Sequence, residues 1–380
     1  MLTTHDIYWT MMERLEGYIR RHTELDPASP FHGALLDSQP MAPSLPAWVH
    51  GMYAAADGYV RLYEATGRPQ HREMAIAACD YLAREQTVVG CWVGYQGFPS
   101  SMGLWNERNA PPGSLLRVAV PGAPLMDLIR GYIGSLGPSW YAKVLLLAAT
   151  VLQEEDSAAA ERYRRCFIAA AEFIYAISTA EGRIIIDPGV MANVWNKMAA
   201  PAALLYLAYR ETGAERFRER ADAITRRVLA AQFPSGEYPY AETSGHTLHY
   251  HFLTIWCLQD ALAAGGGTLA KEIEAAIIRG LDWSLGEMLQ PDGSFNWSRH
   301  DPKDHKAQLS ATPALAVGAA APMLSRYAEP VERIVRRLAQ IQRPDGGFPV
   351  HITDMVSDNF ASGQVFHGLG TVARCYPPIR

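Results

Sequence analysis

The chain has no run of 18 or more uninterrupted apolar residues, the length at which a stretch reads as a membrane-spanning helix. Its start, Met1-Leu-Thr-Thr-His-Asp-Ile, lacks a basic region followed by an apolar one. No secretory leader is therefore expected, and the reading is a cytoplasmic protein without a membrane span. Charge of one sign is also scarce. The 34 Lys and Arg face 39 Asp and Glu, a net charge of −5, which leaves no basic footprint for nucleic acid. Only five cysteines occur, Cys79, Cys91, Cys166, Cys257 and Cys375, all scattered and none in a Cys-x-x-Cys pair. That pattern speaks for buried free thiols over a disulfide or zinc framework.

What is present is core material. The 380 residues are 49% apolar and 10% aromatic, and a chain of this length buries roughly 75% of its unfolded surface without needing staples. Length alone allows two ordinary domains or one large repeat architecture. A recurring phrase decides between them: Gln, a short polar turn, Gly, one residue, an aromatic. It reads Gln86 to Gly90 and Trp92, Gln232 to Gly236 and Tyr238, Gln290 to Gly293 and Phe295, and Gln342 to Gly346 and Phe348, with a degenerate Glu181-Gly182-Arg183-Ile184. From Gly182 onward the glycines are 54, 57 and 53 residues apart, about one helical hairpin, whereas the first gap is 92 residues. The phrase itself reads as a turn whose Gly takes a positive φ and whose aromatic plugs the helix ends.

Periodicity and breakers predict twelve helices, at 4–23, 47–66, 70–86, 139–154, 158–178, 191–212, 215–231, 247–264, 268–289, 308–327, 329–342 and 361–376. Each repeated phrase follows an odd-numbered helix, and the even-numbered ones end in tight turns such as Thr66-Gly-Arg-Pro and Thr212-Gly-Ala-Glu. Short turns then share one rim and long loops the other. The fold expected is all-α, a single (α/α)6 toroid over 1–380 with a long insertion loop at about 87–138. Small residues on the inner helices let them approach closely, and Pro201 and Pro313 are expected near helix starts, where a missing N–H costs little.

The loop-rich rim gathers the polar and aromatic chemistry. The densest group runs from Gly236 through Tyr240, Glu242, His246, His249 and Tyr250 to His251. On a helix His249 would share a face with His246, Tyr250 would stand beside them, and His251 would point elsewhere. Without a third-ligand motif, acid/base or hydrogen-bonding work outranks metal binding, and no cofactor is implied. A second group holds Trp297, Arg299 and His300. A third holds His351, Asp354, Asp358 and His367, where Asp358 either serves the site or caps the last helix. Asn193, Trp195 and Asn196 open an inner helix. The long insertion adds Trp92, Trp105, Asp127 and Arg130, followed by Trp140 and Tyr141. Aromatic faces beside amides, carboxylates and arginines suit sugar rings, and equally suit toroid packing.

Asn193-Val-Trp195-Asn196 followed by Pro201 resembles the Asn-Trp-Trp helix start of toroidal uronate lyases, and Gly236-Glu-Tyr238 with Tyr250 resembles their Gly-Ser-Phe segment and its later catalytic Tyr. Ala241 stands where spacing would put their His. Ser139-Trp140-Tyr141-Ala is similar to a segment of uronyl epimerases. The resemblance to these carbohydrate-active toroids, unsaturated uronyl hydrolases among them, implies lyase, hydrolase or epimerase chemistry on a uronic-acid-containing sugar or short oligosaccharide. Tyr250 and His246 or His249 would then be base and acid, and Asn193 or Asn196 with Arg299 would meet the carboxylate. A hydrolase would need two of Asp127, Asp187, Glu242, Asp354 and Asp358 to converge. The Gln86 to Trp92 phrase also resembles the repeats of terpenoid cyclases and prenyltransferase β subunits, which implies an isoprenoid ligand; the chain has no Asp-Asp pair to start such chemistry. A noncatalytic ligand-binding toroid is the third reading.

Overall fold

The computed structural model describes residues 3–36, 49–92, 135–184, 193–242, 247–296, 310–349 and 356–376. Among them are twelve α-helices and no β-strand: α1 Thr4–Arg21, α2 Val49–Thr66, α3 Pro69–Arg84, α4 Leu136–Val151, α5 Ser157–Ala176, α6 Trp195–Thr212, α7 Glu215–Ala230, α8 Leu248–Ala263, α9 Ala270–Trp283, α10 Ala311–Ala320, α11 Leu324–Ile341 and α12 Asn359–Gly370. The even-numbered helices form a closed inner ring, each packed on the next, with α12 returning to α2. Each odd-numbered helix from α3 to α11 lies outside, on the inner helix that precedes it. The outer partner of α12 is α1, from the other end of the sequence. Tyr8 Oη donates to Leu369 O at 2.8 Å and Trp9 Nε1 to Tyr376 O at 2.6 Å, so the two ends of the chain close the ring. This is the α/α toroid that periodicity implied.

Composition explains which helix goes where. All ten residues of α10 are buried, as expected of a helix that is apolar all round. In α7, by contrast, the buried residues are Phe217, Ala221, Asp222, Ile224, Thr225 and Val228, a single stripe at three- and four-residue spacing. Pro201 departs from expectation. It lies seven residues into α6, past the first turn, so it withholds the N–H that Lys197 O would otherwise accept. Ser135 Oγ, just before α4, donates to that carbonyl at 2.9 Å instead. The helix predicted to run through 308–327 is also interrupted, by a 3-10 turn at Ala321–Met323, and Tyr327 carries non-helical angles three residues before Pro330. The cysteines are all free. Cys79, Cys91 and Cys257 are buried as read, but Cys375 is exposed.

The repeated turns show why the phrase recurs. Gly90, Gly182, Gly236, Gly293 and Gly346 all have φ between 75° and 101°. A Cβ at each would stand 2.1–2.4 Å from a backbone carbonyl oxygen of a neighbouring outer helix, at Ala169, Ala223, Arg279, Arg333 and Arg14 respectively. Gly33, with φ 91° and Ala77 O at 2.0 Å, is a sixth copy that the sequence phrase does not reveal. The Gln supplies a second tie. Gln232 Nε2 donates to Gly236 O and to Ala276 O on α9, both at 2.8 Å. Gln86 and Gln342 repeat this on Cys166 O of α5 and Met11 O of α1. The aromatics Trp92, Tyr238, Phe295 and Phe348 are buried beneath.

On the opposite rim, where inner helices turn into outer ones, Thr66 Oγ1 holds His71 Nδ1 at 2.7 Å. Burial, then the charges of Arg68 and Arg20, press the pKa of His71 down to about 4.

Two predictions follow from these contacts. Gly213 has φ 69° and open space around it, so Gly213→Ala is expected to cost roughly 1–2 kcal/mol for the backbone conformation alone. Gly236→Ala should cost a further ~1–3 kcal/mol because α9 must shift; urea unfolding of the pair measures the difference. His71 stabilises the fold through its neutral form. That contribution is complete above the unfolded pKa of about 6.5 and is lost as pH falls toward 4, amounting to up to roughly 3 kcal/mol. His71→Gln should flatten this part of the stability profile.

Candidate functional site

The inner helices run in one direction, so their first turns meet the long loops. A short antiparallel bridge between Val194 and Ala241 joins the segment before α6 to the segment before α8. Trp195 N donates to Tyr240 O at 3.1 Å, and Glu242 N to Asn193 O at 3.3 Å. This pairing brings together residues almost fifty apart in sequence. Asn193 Nδ2 donates to the Glu242 carboxylate, and Arg227 of α7 donates to Asn193 Oδ1 at 3.1 Å. The Tyr240 ring lies 4.4 Å from that of Tyr250, which in turn meets His249 edge-on at 5.3 Å. His249 Nδ1 is 3.2 Å from Thr312 Oγ1 on α10. One face of the rim thus presents a carboxylate, an amide, a guanidinium, two phenols and an imidazole.

Asn196 is the unusual member. It is 1% exposed, and among the described residues neither atom of its amide has a partner. The indole N–H of Trp195, the preceding residue, is likewise buried without one. Buried amides and indoles are ordinarily paired, because an unmade hydrogen bond costs about 1–3 kcal/mol.

Other candidates have packing work. Trp92 is fully buried, donates Nε1 to Leu82 O at 2.8 Å and meets the buried ring of Tyr141 edge-on at 5.2 Å. Asp358 is the N-cap of α12, accepting from Ala361 N at 2.8 Å. His251 points away from the rim as expected: Nδ1 accepts from Tyr238 N at 3.0 Å, which leaves Nε2 to donate to Gly280 O at 3.2 Å. His246, Asp127, Trp105, Arg130, Trp297, Arg299, His300 and His351 lie outside the described residues, as do Asp187 and Asp354. Among the described residues no group of three His, Cys, Asp or Glu is arranged to hold a metal ion.

A second cluster occupies the C-terminal half of the inner ring. Asp57 pairs with Arg61 one turn on and lies 3.3 Å from His367 Nε2 on α12. Lys143 pairs with Asp260, its Nζ also 3.6 Å from the centre of the Trp140 ring. Tyr53 stacks on Trp140 at 4.6 Å and Trp256 on His367 at 4.1 Å. Burial opposes the Arg61 charge, but Asp57, with lesser help from Asp260 and Glu64, holds its pKa above the ordinary value. Asp57, Arg61, Trp140, Lys143, Trp256, Asp260 and His367 line a cavity of 230 Å³ that reaches the last turns of α4, α6 and α8 at Thr150, Arg210 and Ala263. The sequence reading found Trp140 here and passed over Asp57, Arg61, Lys143, Trp256, Asp260 and, on the rim, Arg227. A lone charge inside an otherwise apolar inner helix was the available signal.

No family model and no curated protein matches the sequence. Solved structures do match in fold. A polysaccharide lyase superposes with TM-score 0.61 at 13% identity, covering 98% of each chain. A glycosyl hydrolase family 88 protein from Bacteroides vulgatus gives TM-score 0.60 at 11% identity over 97% of this chain and 99% of that one. A type II terpene cyclase from Scytonema gives 0.55 at 16% over 97% and 98%. At these identities the likeness is one of fold, and it spans both kinds of toroid that the sequence resembles.

The Asn196 amide generates a stability prediction. Asn196→Leu replaces two unpartnered buried polar atoms with apolar ones of similar shape, so the unfolding free energy should rise by about 1 kcal/mol. Denaturant unfolding measures it.

Proposed function

We propose that the chain is a carbohydrate-active enzyme that processes a sugar or short oligosaccharide containing a uronic acid, at the rim where α6 and α8 begin. The observation that carries this reading is Asn196. Its buried amide offers a donor and an acceptor side by side, both without a partner among the described residues, and a sugar hydroxyl both donates and accepts. An isoprenoid chain would satisfy neither. The likeness in fold to a polysaccharide lyase and a family 88 glycosyl hydrolase supports the same reading.

Within it, Asn196 is the asparagine that meets the uronate or a ring hydroxyl, since Asn193 is already engaged by Glu242 and Arg227. Tyr250 and His249 move the protons: the phenol sits half-buried beside the imidazole, and Thr312 orients the ring. Proton transfer between such a pair suits β-elimination or epimerisation at the carbon next to a carboxylate. The two-carboxylate route of a hydrolase draws less support, because Asp358 is committed to capping α12 and Glu242 to Asn193.

A panel of saturated and unsaturated uronyl oligosaccharides, followed by absorbance near the enol-ether band and by mass spectrometry, tests the proposal. Turnover is expected with at least one member, and Tyr250→Phe should lower kcat about 10²–10⁴-fold with the fold intact by circular dichroism. Neither turnover nor binding across the panel would sink the reading, and conversion of a polyprenyl diphosphate would replace it with the isoprenoid one.

A further inference from the structure

The axial cavity lies at the opposite end of the ring from the rim, and nothing in the proposed chemistry uses it. Its lining carries three permanent cations, Arg61, Lys143 and Arg210, against the carboxylates of Asp57 and Asp260. Arg61 and Lys143 are paired with those two. Among the described residues Arg210 bonds only its exposed sequence neighbour Glu211, from Nη2 at 3.2 Å and Nε at 3.3 Å, a carboxylate outside the cavity wall, so the lining itself has one cation in excess. The indole of Trp140 is 2% exposed. Tyr53 covers one ring face and Lys143 interacts with the ring, yet among the described residues its Nε1–H has no partner. An unpaired buried donor and a surplus cation both ask for an acceptor. Between them the wall is apolar, built from Val144, Leu147 and Leu207. The volume of 230 Å³ is below the ~300 Å³ at which drug-sized ligands begin to fit.

The geometry points to a second binding site in this cavity, for a small organic carboxylate with an apolar body and one further acceptor oxygen. The carboxylate meets Arg210 at the mouth, the aliphatic body lies along α4 and α6, and the second oxygen accepts from Trp140 Nε1. The site is independent of the sugar reading of the rim. A carboxylate could also come from a uronic acid, but the hydroxyls of such a ring would face Val144, Leu147 and Leu207 without partners.

Saturation-transfer NMR and calorimetry on the full chain test this with 5-oxohexanoate as probe, whose oxo group and carboxylate stand at opposite ends of a three-methylene body. Its methyl ester supplies the same body without charge, and glucuronate the same charge on a hydroxylated body. The oxo acid should bind at least about tenfold tighter than either control. Arg210→Gln should weaken it about tenfold, and Ala263→Trp, which plugs the exposed mouth, should abolish saturation transfer. Both positions are exposed, and unchanged melting of the variants separates loss of the site from loss of the fold. Absence of oxo-acid binding, binding indifferent to both substitutions, or equal binding of glucuronate would each overturn the proposal. Tyr250→Phe is expected to leave oxo-acid binding unchanged, so the rim and axial readings fail separately.

Discussion

Six glycines hold the ring together. Each sits at positive φ with its Cα pressed against a carbonyl of a neighbouring outer helix, a position where any side chain would drive the two hairpins apart. An outer helix alone has one apolar stripe and would pack at many angles. The glycine contact, joined at Gly90, Gly236 and Gly346 by a Gln that bonds across the same gap, fixes the distance and the rotation between successive hairpins. Repeating that step six times is what brings α12 back to α2 and lets α1 serve as the outer helix of the last hairpin. The cylinder within is a consequence of that step angle.

Closure then creates the problem of polar groups in a buried cylinder. Where α6 contains Pro201, a serine beside α4 takes over the freed carbonyl. Where Asp57 and Lys143 sit in the wall, each finds an opposite charge within its own layer. Such pairs contribute little net stability after desolvation, but removing one partner would strand a buried charge at a cost of about 3–5 kcal/mol. Their presence in helices otherwise made of Ala, Leu and aromatics sets charges into a cavity wall that also carries Val144, Leu147 and Leu207. Asn196, Trp195 and Trp140 go further, since their side-chain polar atoms have no partner among the described residues. A fold optimised for stability alone would replace them.

The helices and their alternation between short turns and long loops were legible in the sequence because both are local. Three- and four-residue spacing, Gly after α6 and Pro at the first position of α3 act within a turn or two of themselves. The repeated phrase was legible where Gln, Gly and the aromatic keep their spacing. It was lost at Gly33, where Glu24 O accepts from Gly33 N across a longer excursion and no Gln is present. Part of the rim site was readable for the same reason, with Tyr240, Glu242, His249 and Tyr250 within eleven residues of one another. Arg227 was not, because its role depends on α7 lying under Asn193.

The sequence by itself determined the order of the twelve described helices and the faces they bury, since hydrophobic periodicity and turn chemistry are written in short stretches of chain. Only the tertiary structure decided which polar groups meet. Asp57 and His367 are more than 300 residues apart, and Lys143 and Asp260 more than 100, yet each pair shares a layer of the barrel because ring closure sets the axial register of helices that have no local knowledge of one another. The same closure chose between packing and binding for the aromatics, burying Trp92 against Tyr141 and leaving Trp140 at a cavity with its indole N–H unpartnered among the described residues. Burial and mutual distance are properties of the closed ring, and no spacing along the chain encodes them.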